Sequence, residues 1–239
     1  MSHVKTAAAL EEFLGLCSGY GGSYNPGLPN LKLSALNELA VKARHALEEV
    51  NVAKSVWNNA TNHREIVFAG LPKLVSSITF TLAASGASEQ TMKDARVLLR
   101  QMTSRRKNRE PIPSGESLGP AEKGRPFSQR GFESMTNHFA QLVQLVSNES
   151  VYQPTEYHLS VRGLVEHVAK LRSQNTAVKE ARVALSHARL ALYQIYYGNV
   201  NSVVVAARSA KKYIRAIFGL NSSQYRQVKK FNFAKTKIR

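Results

Sequence analysis

The feature that most constrains the fold of this chain is the recurrence of apolar residues at three- and four-residue spacing over two long stretches. The first runs from about residue 33 to 62 and comprises Leu36, Ala40, Ala43, Leu47, Val50 and Trp57. The second comprises Val161, Leu164, Val168, Leu171, Val178, Ala181, Leu185, Ala188, Leu192 and Ile195. This spacing places the apolar residues on one side of a helix, and a helix over the second stretch would be about 50 Å long. We therefore expect an all-α protein built around two long amphipathic helices.

Glycine and proline residues predict a shorter helix after each long one. Gly70-Leu-Pro72 interrupts the first stretch and Gly198 interrupts the second. Two further glycines, Gly86 and Gly219, are typical of helix C-caps. Each is followed by a serine that can cap the next helix, Ser88 in one case and Ser222 or Ser223 in the other. We therefore expect a short helix after each of these two glycines.

These parallels suggest an internal duplication of two antiparallel helical-bundle halves. Tyr24-Asn-Pro26 matches Tyr152-Gln-Pro154, Arg64 with Phe68 matches Arg189 with Tyr193, and the offsets lie between 125 and 133 residues. Chance similarity between two amphipathic helix hairpins is the alternative. We assign residues 1–102 and 132–230 to the N-terminal and C-terminal halves and 231–239 to a basic tail. Residues 103–131, rich in proline, glycine and basic side chains, are assigned to a linker.

Several segments resemble a family of uncharacterised helical proteins common in Bacteroidetes. The matching segments are Phe139-Ala-Gln-Leu-Val143, Tyr152-Gln-Pro154, Ala188-Arg189, Ala210-Lys-Lys-Tyr-Ile-Arg-Ala-Ile-Phe-Gly219, Ser223-Gln-Tyr-Arg-Gln-Val228 and Ala83–Ala95. The resemblance covers about half of the chain. It implies a helical fold and supplies neither an activity nor a site.

The charge distribution gives the clearest indication of a partner. The formal net charge is +17, and the 59 residues after Glu180 carry twelve basic and no acidic side chains. Such a field favours polyanions, meaning nucleic acid, an anionic membrane surface or an acidic protein. Solubility alone does not require so one-sided a segment.

Candidate nucleic-acid-binding residues are the basic side chains at the end of each half. We expect Arg208, Lys212 and Arg215 on one face of a helix over residues 200–217, opposite Val203, Ala207, Ala210, Ile214 and Ile217. The full candidate set is Arg208, Lys211, Lys212, Arg215, Arg226, Lys229, Lys230, Lys235, Lys237, Arg239, Lys93, Arg96, Arg100, Arg105, Arg106, Lys107 and Arg109.

Aromatic residues lie between these basic residues and could stack on unpaired bases. Tyr213, Phe218 and Tyr225 have the spacing of core residues, so we expect them to pack inside. Phe231 and Phe233 are less constrained, in a segment that we expect to be loose from about residue 231, and are the better candidates for contact with a ligand.

The sequence offers little for catalysis, a cofactor or a metal. Asp94 is the only aspartate, which argues against clustered-carboxylate phosphoryl transfer. The seven histidines show no helical i,i+3 or i,i+4 pairing, and Cys17, the only cysteine, reads as a small buried residue. Asn175, on the second apolar stripe, reads as a polar residue tolerated at one core layer. We expect no enzymatic activity, no cofactor and no metal.

Two functions remain open at this stage. The first is a non-enzymatic protein that binds DNA or RNA through phosphate contacts. The alternative is a structural or scaffold protein that self-assembles, as a homo-oligomer, or docks on an acidic protein partner; peripheral membrane binding is a weaker third. No signal peptide is apparent and no run approaches eighteen apolar residues, so we expect a cytoplasmic protein with no transmembrane segment.

Overall fold

The computed structural model describes residues 3–103 and 127–234 of the chain. These residues contain α-helices and no strand, which confirms the all-α prediction. The helices are α1 (His3–Gly19), α2 (Leu33–Ala69), α3 (Leu71–Ala84), α4 (Glu89–Thr103), α5 (Phe127–Ser147), α6 (Val161–Tyr197), α7 (Val203–Phe218) and α8 (Ser223–Lys229). Two short 3-10 segments, Gly21–Ser23 and Pro29–Leu31, connect α1 to α2.

The two longest helices are the ones that the apolar stripes predict. Helices α2 and α6 contain 37 residues each. Leu36 and Ala43 of α2 are completely buried, as are Leu164 and Leu171 of α6. Because these residues recur at helical spacing, a single side of each helix supplies side chains to the core.

The residues divide into two compact units, and each long helix contributes to both. Unit 1 consists of Met1–Trp57 and Ala181–Arg239, and unit 2 of Asn58–Glu180. These units divide the chain at different positions from the two halves assigned by sequence. Unit 1 combines the start of the N-terminal half with the end of the C-terminal half.

Each unit has its own hydrophobic core. In unit 1, α1 supplies Leu10, Phe13 and Cys17, and α7 supplies Ala207 and Ile214. In unit 2, the core is built by α3, α4, α5 and the first part of α6, with buried residues that include Val75, Ile78, Leu82, Phe139, Leu142 and Leu164. Each core therefore draws on helices that are distant in sequence.

The predicted caps are present where α3 and α7 end and where α4 and α8 begin. Gly86 and Gly219 have φ angles of +78° and +89°, a region that favours glycine. The Ser88 hydroxyl accepts a hydrogen bond from the Thr91 backbone N–H, and the Ser222 hydroxyl accepts one from the Tyr225 N–H, both at 3.1 Å. Of the two serines that the sequence left open, Ser222 is the one that caps α8.

The tyrosines of the two Tyr-x-Pro segments make the same hydrogen bond. The Tyr24 hydroxyl donates to the Leu31 carbonyl oxygen and the Tyr152 hydroxyl to the Leu159 carbonyl oxygen, each at 2.9 Å across seven residues. Both tyrosines are buried. This correspondence is consistent with a duplication, which itself stays a prediction.

Among the described residues of unit 2, Asn175 is one of four buried polar side chains, with Arg64, Thr79 and Thr136. Asn175 is 3% exposed, and its amide nitrogen donates to the Thr136 hydroxyl at 3.1 Å. A buried polar group without a partner is costly; this bond satisfies the amide nitrogen, whereas Oδ1 has no hydrogen-bond partner among the described residues. The structure thus supports the interpretation of Asn175 as a core residue rather than a ligand.

Most of the assigned linker, residues 104–126, lies outside the described residues. Within the described part of the chain, the helical stretch Leu33–Ala84 contains an 18-residue window with a mean hydropathy of 1.6, sufficient for a membrane span by length and composition. The buried share of that window is 33%, and a core helix of a water-soluble protein satisfies the same criterion. The expectation that no helix spans a membrane therefore stays a prediction.

Candidate nucleic-acid interface

Helix α7 separates its apolar and basic residues on two sides. Ala207, Ala210 and Ile214 are completely buried, whereas Arg208, Lys212 and Arg215 are exposed. The apolar side packs in the core of unit 1, so the basic side faces solvent. One residue departs from the prediction: Ile217, placed on the core side by its spacing, is 54% exposed, because it lies in the last turn of the helix.

Lys211 holds the end of α8 and the residues after it. Its ammonium group donates to the Lys229 carbonyl oxygen at 2.8 Å and to the Phe231 carbonyl oxygen at 2.7 Å. Partial burial, followed by the charge of Lys229, lowers the pKa of Lys211. This lysine satisfies carbonyl groups near the C-terminal end of α8 and is thus part of the protein's own packing.

Residues 231–234 are anchored to the core of unit 1, which contradicts the expectation of a loose end from residue 231. The Arg208 guanidinium donates through Nε to the Phe233 carbonyl oxygen at 2.5 Å. Phe231 and Phe233 are 5% and 2% exposed, and their ring centroids lie 6.0 and 5.7 Å from that of Phe13 in α1. The prediction that these two rings are available for a ligand is therefore wrong. Burial of their large apolar surface, together with hydrogen bonds to their carbonyls, fixes them in the core.

The other three aromatic residues of this segment pack inside, as predicted. The Tyr213 ring lies 5.5 Å from the Tyr24 ring, and the Phe218 ring lies 5.4 Å from the Tyr20 ring. Tyr213, Phe218 and Tyr225 are partly buried against the core of unit 1. These three rings therefore help to pack α7 and α8 against the core of unit 1.

The basic residues in and directly after α8 differ in the contacts that they make within the protein. Lys230 donates to the Glu12 carboxylate at 2.7 Å and lies 5.0 Å from the Phe231 ring centroid. The Arg226 guanidinium donates to the Asn221 carbonyl oxygen at 2.9 Å and remains exposed. Lys229 is exposed through its side chain, while only its backbone carbonyl is used by the fold.

Besides Arg208, four basic side chains of α7 and α8 are exposed, and one of them, Arg226, also donates to the Asn221 carbonyl oxygen. We call Lys212, Arg215, Arg226 and Lys229 the α7–α8 basic surface. All four are exposed, and no ion pair in the described part of the chain involves any of them. Two other candidates, Arg208 and Lys211, hold the C-terminal segment in place, and a phosphate contact by them stays a prediction.

The basic face of α4 in unit 2 is partly neutralised. Lys93, Arg96 and Arg100 are exposed at helical spacing. Lys93 forms an ion pair with Glu89 at 3.0 Å, and Asp94 lies on the same helix. An ion pair with a carboxylate reduces the charge available to a polyanion. The candidates that lie outside the described residues are Arg105, Arg106, Lys107, Arg109, Lys235, Lys237 and Arg239.

The thiol of Cys17 and the imidazole of His167 both pack against other side chains of the protein. Cys17 is completely buried in the core of unit 1, and this burial raises the pKa of its thiol to about 12. His167 packs against the Phe139 ring at 5.5 Å, and burial lowers the pKa of its imidazole. No group of three or more His, Cys, Asp or Glu residues in ranges 3–103 and 127–234 is arranged to hold a metal ion.

Comparisons of the chain with protein-family models, with curated proteins and with solved structures found no match. The resemblance to the helical Bacteroidetes family thus stays a prediction.

Proposed function

We propose that this protein is a non-enzymatic nucleic-acid-binding protein that contacts phosphates through the α7–α8 basic surface. The observation that carries the proposal is the exposure of Lys212, Arg215, Arg226 and Lys229 on two packed helices, in a segment with no acidic residue after Glu180. Lysine and arginine side chains bind phosphate oxygens without reading the base sequence. A cytoplasmic location belongs to the same proposal.

Binding of this kind depends strongly on salt. Each phosphate that a cation neutralises releases condensed counterions, which gives a slope of about −0.9 per contact in a plot of log K against log salt concentration for duplex DNA. If all four cations of the surface contact phosphates, the slope is about −3.6. The test is fluorescence anisotropy of a labelled oligonucleotide at a series of salt concentrations.

A pair of charge-matched variants separates the surface from the overall charge. Lys212→Ala with Lys229→Ala removes two exposed lysines from the surface, and we expect the slope to become less steep by about 2 units. The control, Lys42→Ala with Lys54→Ala, removes two exposed lysines from α2 in the same unit. A salt-insensitive affinity, or an equal change in both variants, would contradict the proposal.

The second candidate function is that of a structural protein that self-assembles. It is favoured by exposed apolar side chains on the long helices of unit 1. Val41 and Val52 of α2 are 69% and 64% exposed, and Val183 and Leu190 of α6 are 53% and 60% exposed. Apolar residues that recur on the outside of a helix can pack against another copy.

Light scattering after size-exclusion chromatography decides between the two candidates. The protein is treated with nuclease and purified in high salt, so that nucleic acid cannot bridge its copies. Discrete assemblies that persist under these conditions, and that are lost in a Val52→Ser and Leu190→Ser variant, favour the structural function. A monomer with salt-dependent oligonucleotide binding favours the first.

A further inference from the structure

The aromatic rings of the basic segment are buried or partly buried in unit 1. Proteins that bind single strands without sequence preference combine a basic groove with exposed aromatic side chains, on which bases stack. Here the five rings between residues 211 and 233 are buried or packed against the core. Base stacking on exposed rings strengthens single-strand binding, and none of these five residues is exposed.

The backbone positions that carry the cations, in contrast, are fixed by two helices. Lys212 and Arg215 are three residues apart on α7, and Arg226 and Lys229 are three residues apart on α8. The two helices are joined by the Lys211 ammonium, which donates to the Lys229 and Phe231 carbonyl oxygens. The segment that follows is fixed by the bond from Arg208 to the Phe233 carbonyl oxygen.

Cations carried at fixed backbone positions suit a partner whose charges are also fixed. Double-helical DNA carries one phosphate charge per about 1.7 Å of its axis, a higher density than a single strand presents. A flexible single strand, moreover, loses conformational entropy when it follows a rigid set of charges, whereas a duplex is already ordered.

We propose that the α7–α8 basic surface selects double-helical over single-stranded nucleic acid. This inference rests on the proposed phosphate-binding function and specifies its substrate class. Phe231 and Phe233, which the sequence suggested as candidates for contact with a ligand, instead anchor the C-terminal segment next to this surface.

The test compares a labelled duplex with each of its own strands, by anisotropy at the same low salt concentration. We expect the protein to bind the duplex at least about tenfold more tightly than either strand, because the duplex has the higher phosphate density and no exposed ring favours the strands by stacking. DNA and RNA duplexes are both used, and this preference in either kind supports the inference. The Lys212→Ala and Lys229→Ala variant should lose it, and the Lys42→Ala and Lys54→Ala variant should keep it.

The possible failures are distinguishable. Equal or tighter binding of the single strands would overturn the duplex inference and leave the phosphate-binding function intact. A preference for the duplex that survives in the Lys212→Ala and Lys229→Ala variant would also overturn it, because another surface would then be responsible. Absence of salt-dependent binding to every probe would overturn the proposed function, and the inference with it.

Discussion

Two buried tyrosine hydroxyls anchor the segments that lead into the long helices. Tyr24 and Tyr152 each donate to the carbonyl oxygen of the leucine seven residues later, at 2.9 Å. A buried carbonyl that loses its donor costs more free energy than the average hydrogen bond contributes, because it cannot recover a bond to water. At the scale of single residues, these two bonds are therefore sensitive points of the fold.

Replacement of these hydroxyls gives a prediction about stability. Tyr152→Phe keeps the ring and leaves the Leu159 carbonyl without its donor, so we expect the free energy of unfolding to fall by about 1–3 kcal/mol. The measurement is urea denaturation followed by circular dichroism. Tyr157→Phe serves as the control, because the Tyr157 side chain is exposed and its hydroxyl donates to the Glu166 carboxylate at the surface. Equal losses in both variants would refute the argument.

The same glycine-to-alanine substitution is expected to affect stability differently at two helix ends, because the two glycines have different backbone angles. Gly219, after α7, has φ +89° and ψ +162°, a combination that side chains with a Cβ atom rarely adopt. Gly70, before α3, has φ −80° and ψ −15°, which is ordinary helical backbone, and a Cβ atom there would meet no neighbour within 4 Å.

This contrast predicts opposite effects of one substitution. Gly219→Ala should lower the free energy of unfolding by about 1–3 kcal/mol through backbone strain. Gly70→Ala should change it little or raise it by about 0.4–1 kcal/mol, because alanine restricts the unfolded chain. Thermal denaturation of the two variants in parallel is the measurement. A neutral Gly219→Ala variant would show that this turn tolerates a side chain.

At the scale of elements, the segment after α8 is an integral part of unit 1. The fold, rather than a ligand, uses Phe231 and Phe233, which pack against Phe13 with their carbonyl oxygens held by Lys211 and Arg208. Asn232, between them, is exposed. The alternation of buried, exposed and buried side chains is what an extended segment lying on a core produces.

Truncation of one ring tests this anchoring. Phe233→Ala removes a ring that is 2% exposed, and we expect a loss of about 3–5 kcal/mol with faster proteolysis of the C-terminus. Asn232→Ala should change the free energy of unfolding by less than about 0.5 kcal/mol. Urea denaturation and limited proteolysis, analysed by mass spectrometry, measure both effects. If Phe233→Ala behaves like Asn232→Ala, residues 231–234 are not anchored.

At the scale of the whole molecule, acidic groups buried in their neutral form make stability sensitive to high pH. Burial raises the pKa of Cys17, Tyr152 and Tyr196 to about 12, and it also raises the pKa of Tyr24. Their ordinary values are 9.0 for the thiol and 10.0 for the phenols. Between these values and about pH 12 the unfolded chain releases protons that the folded protein keeps. The contribution of these groups to the free energy of unfolding is therefore fully present below about pH 9 and is lost as the pH rises.

We accordingly expect the urea midpoint of the protein to decrease between about pH 9 and 11. Each group contributes a slope of up to about 1.4 kcal/mol per pH unit within its window. Deprotonation of lysines changes the repulsion within the chain over the same range, so the comparison with Tyr152→Phe isolates one phenol. The variant should show a shallower pH dependence than the unmodified protein, and identical pH profiles would contradict the assignment.

Much of the helical architecture is predictable because it is local. The spacing of Leu36, Ala43, Leu164 and Leu171 requires one apolar side on each long helix, and glycine and serine at the helix ends act within a single turn. The predicted positions of the stripes and caps therefore agree with α2, α6, Gly86 and Gly219. The lack of acidic residues after Glu180 is likewise a property of the sequence alone.

The tertiary structure determines which side chains of the basic segment face solvent. Sequence spacing does not show that Lys211 and Arg208 bind carbonyl oxygens about 20 residues away, nor that the two phenylalanines reach α1. It also does not show that each unit combines residues from both predicted halves. The sequence by itself determined an all-helical, strongly basic chain, because helical periodicity and charge are local or additive. Only the fold determined which cations and rings face solvent, because burial depends on contacts between residues far apart in the chain.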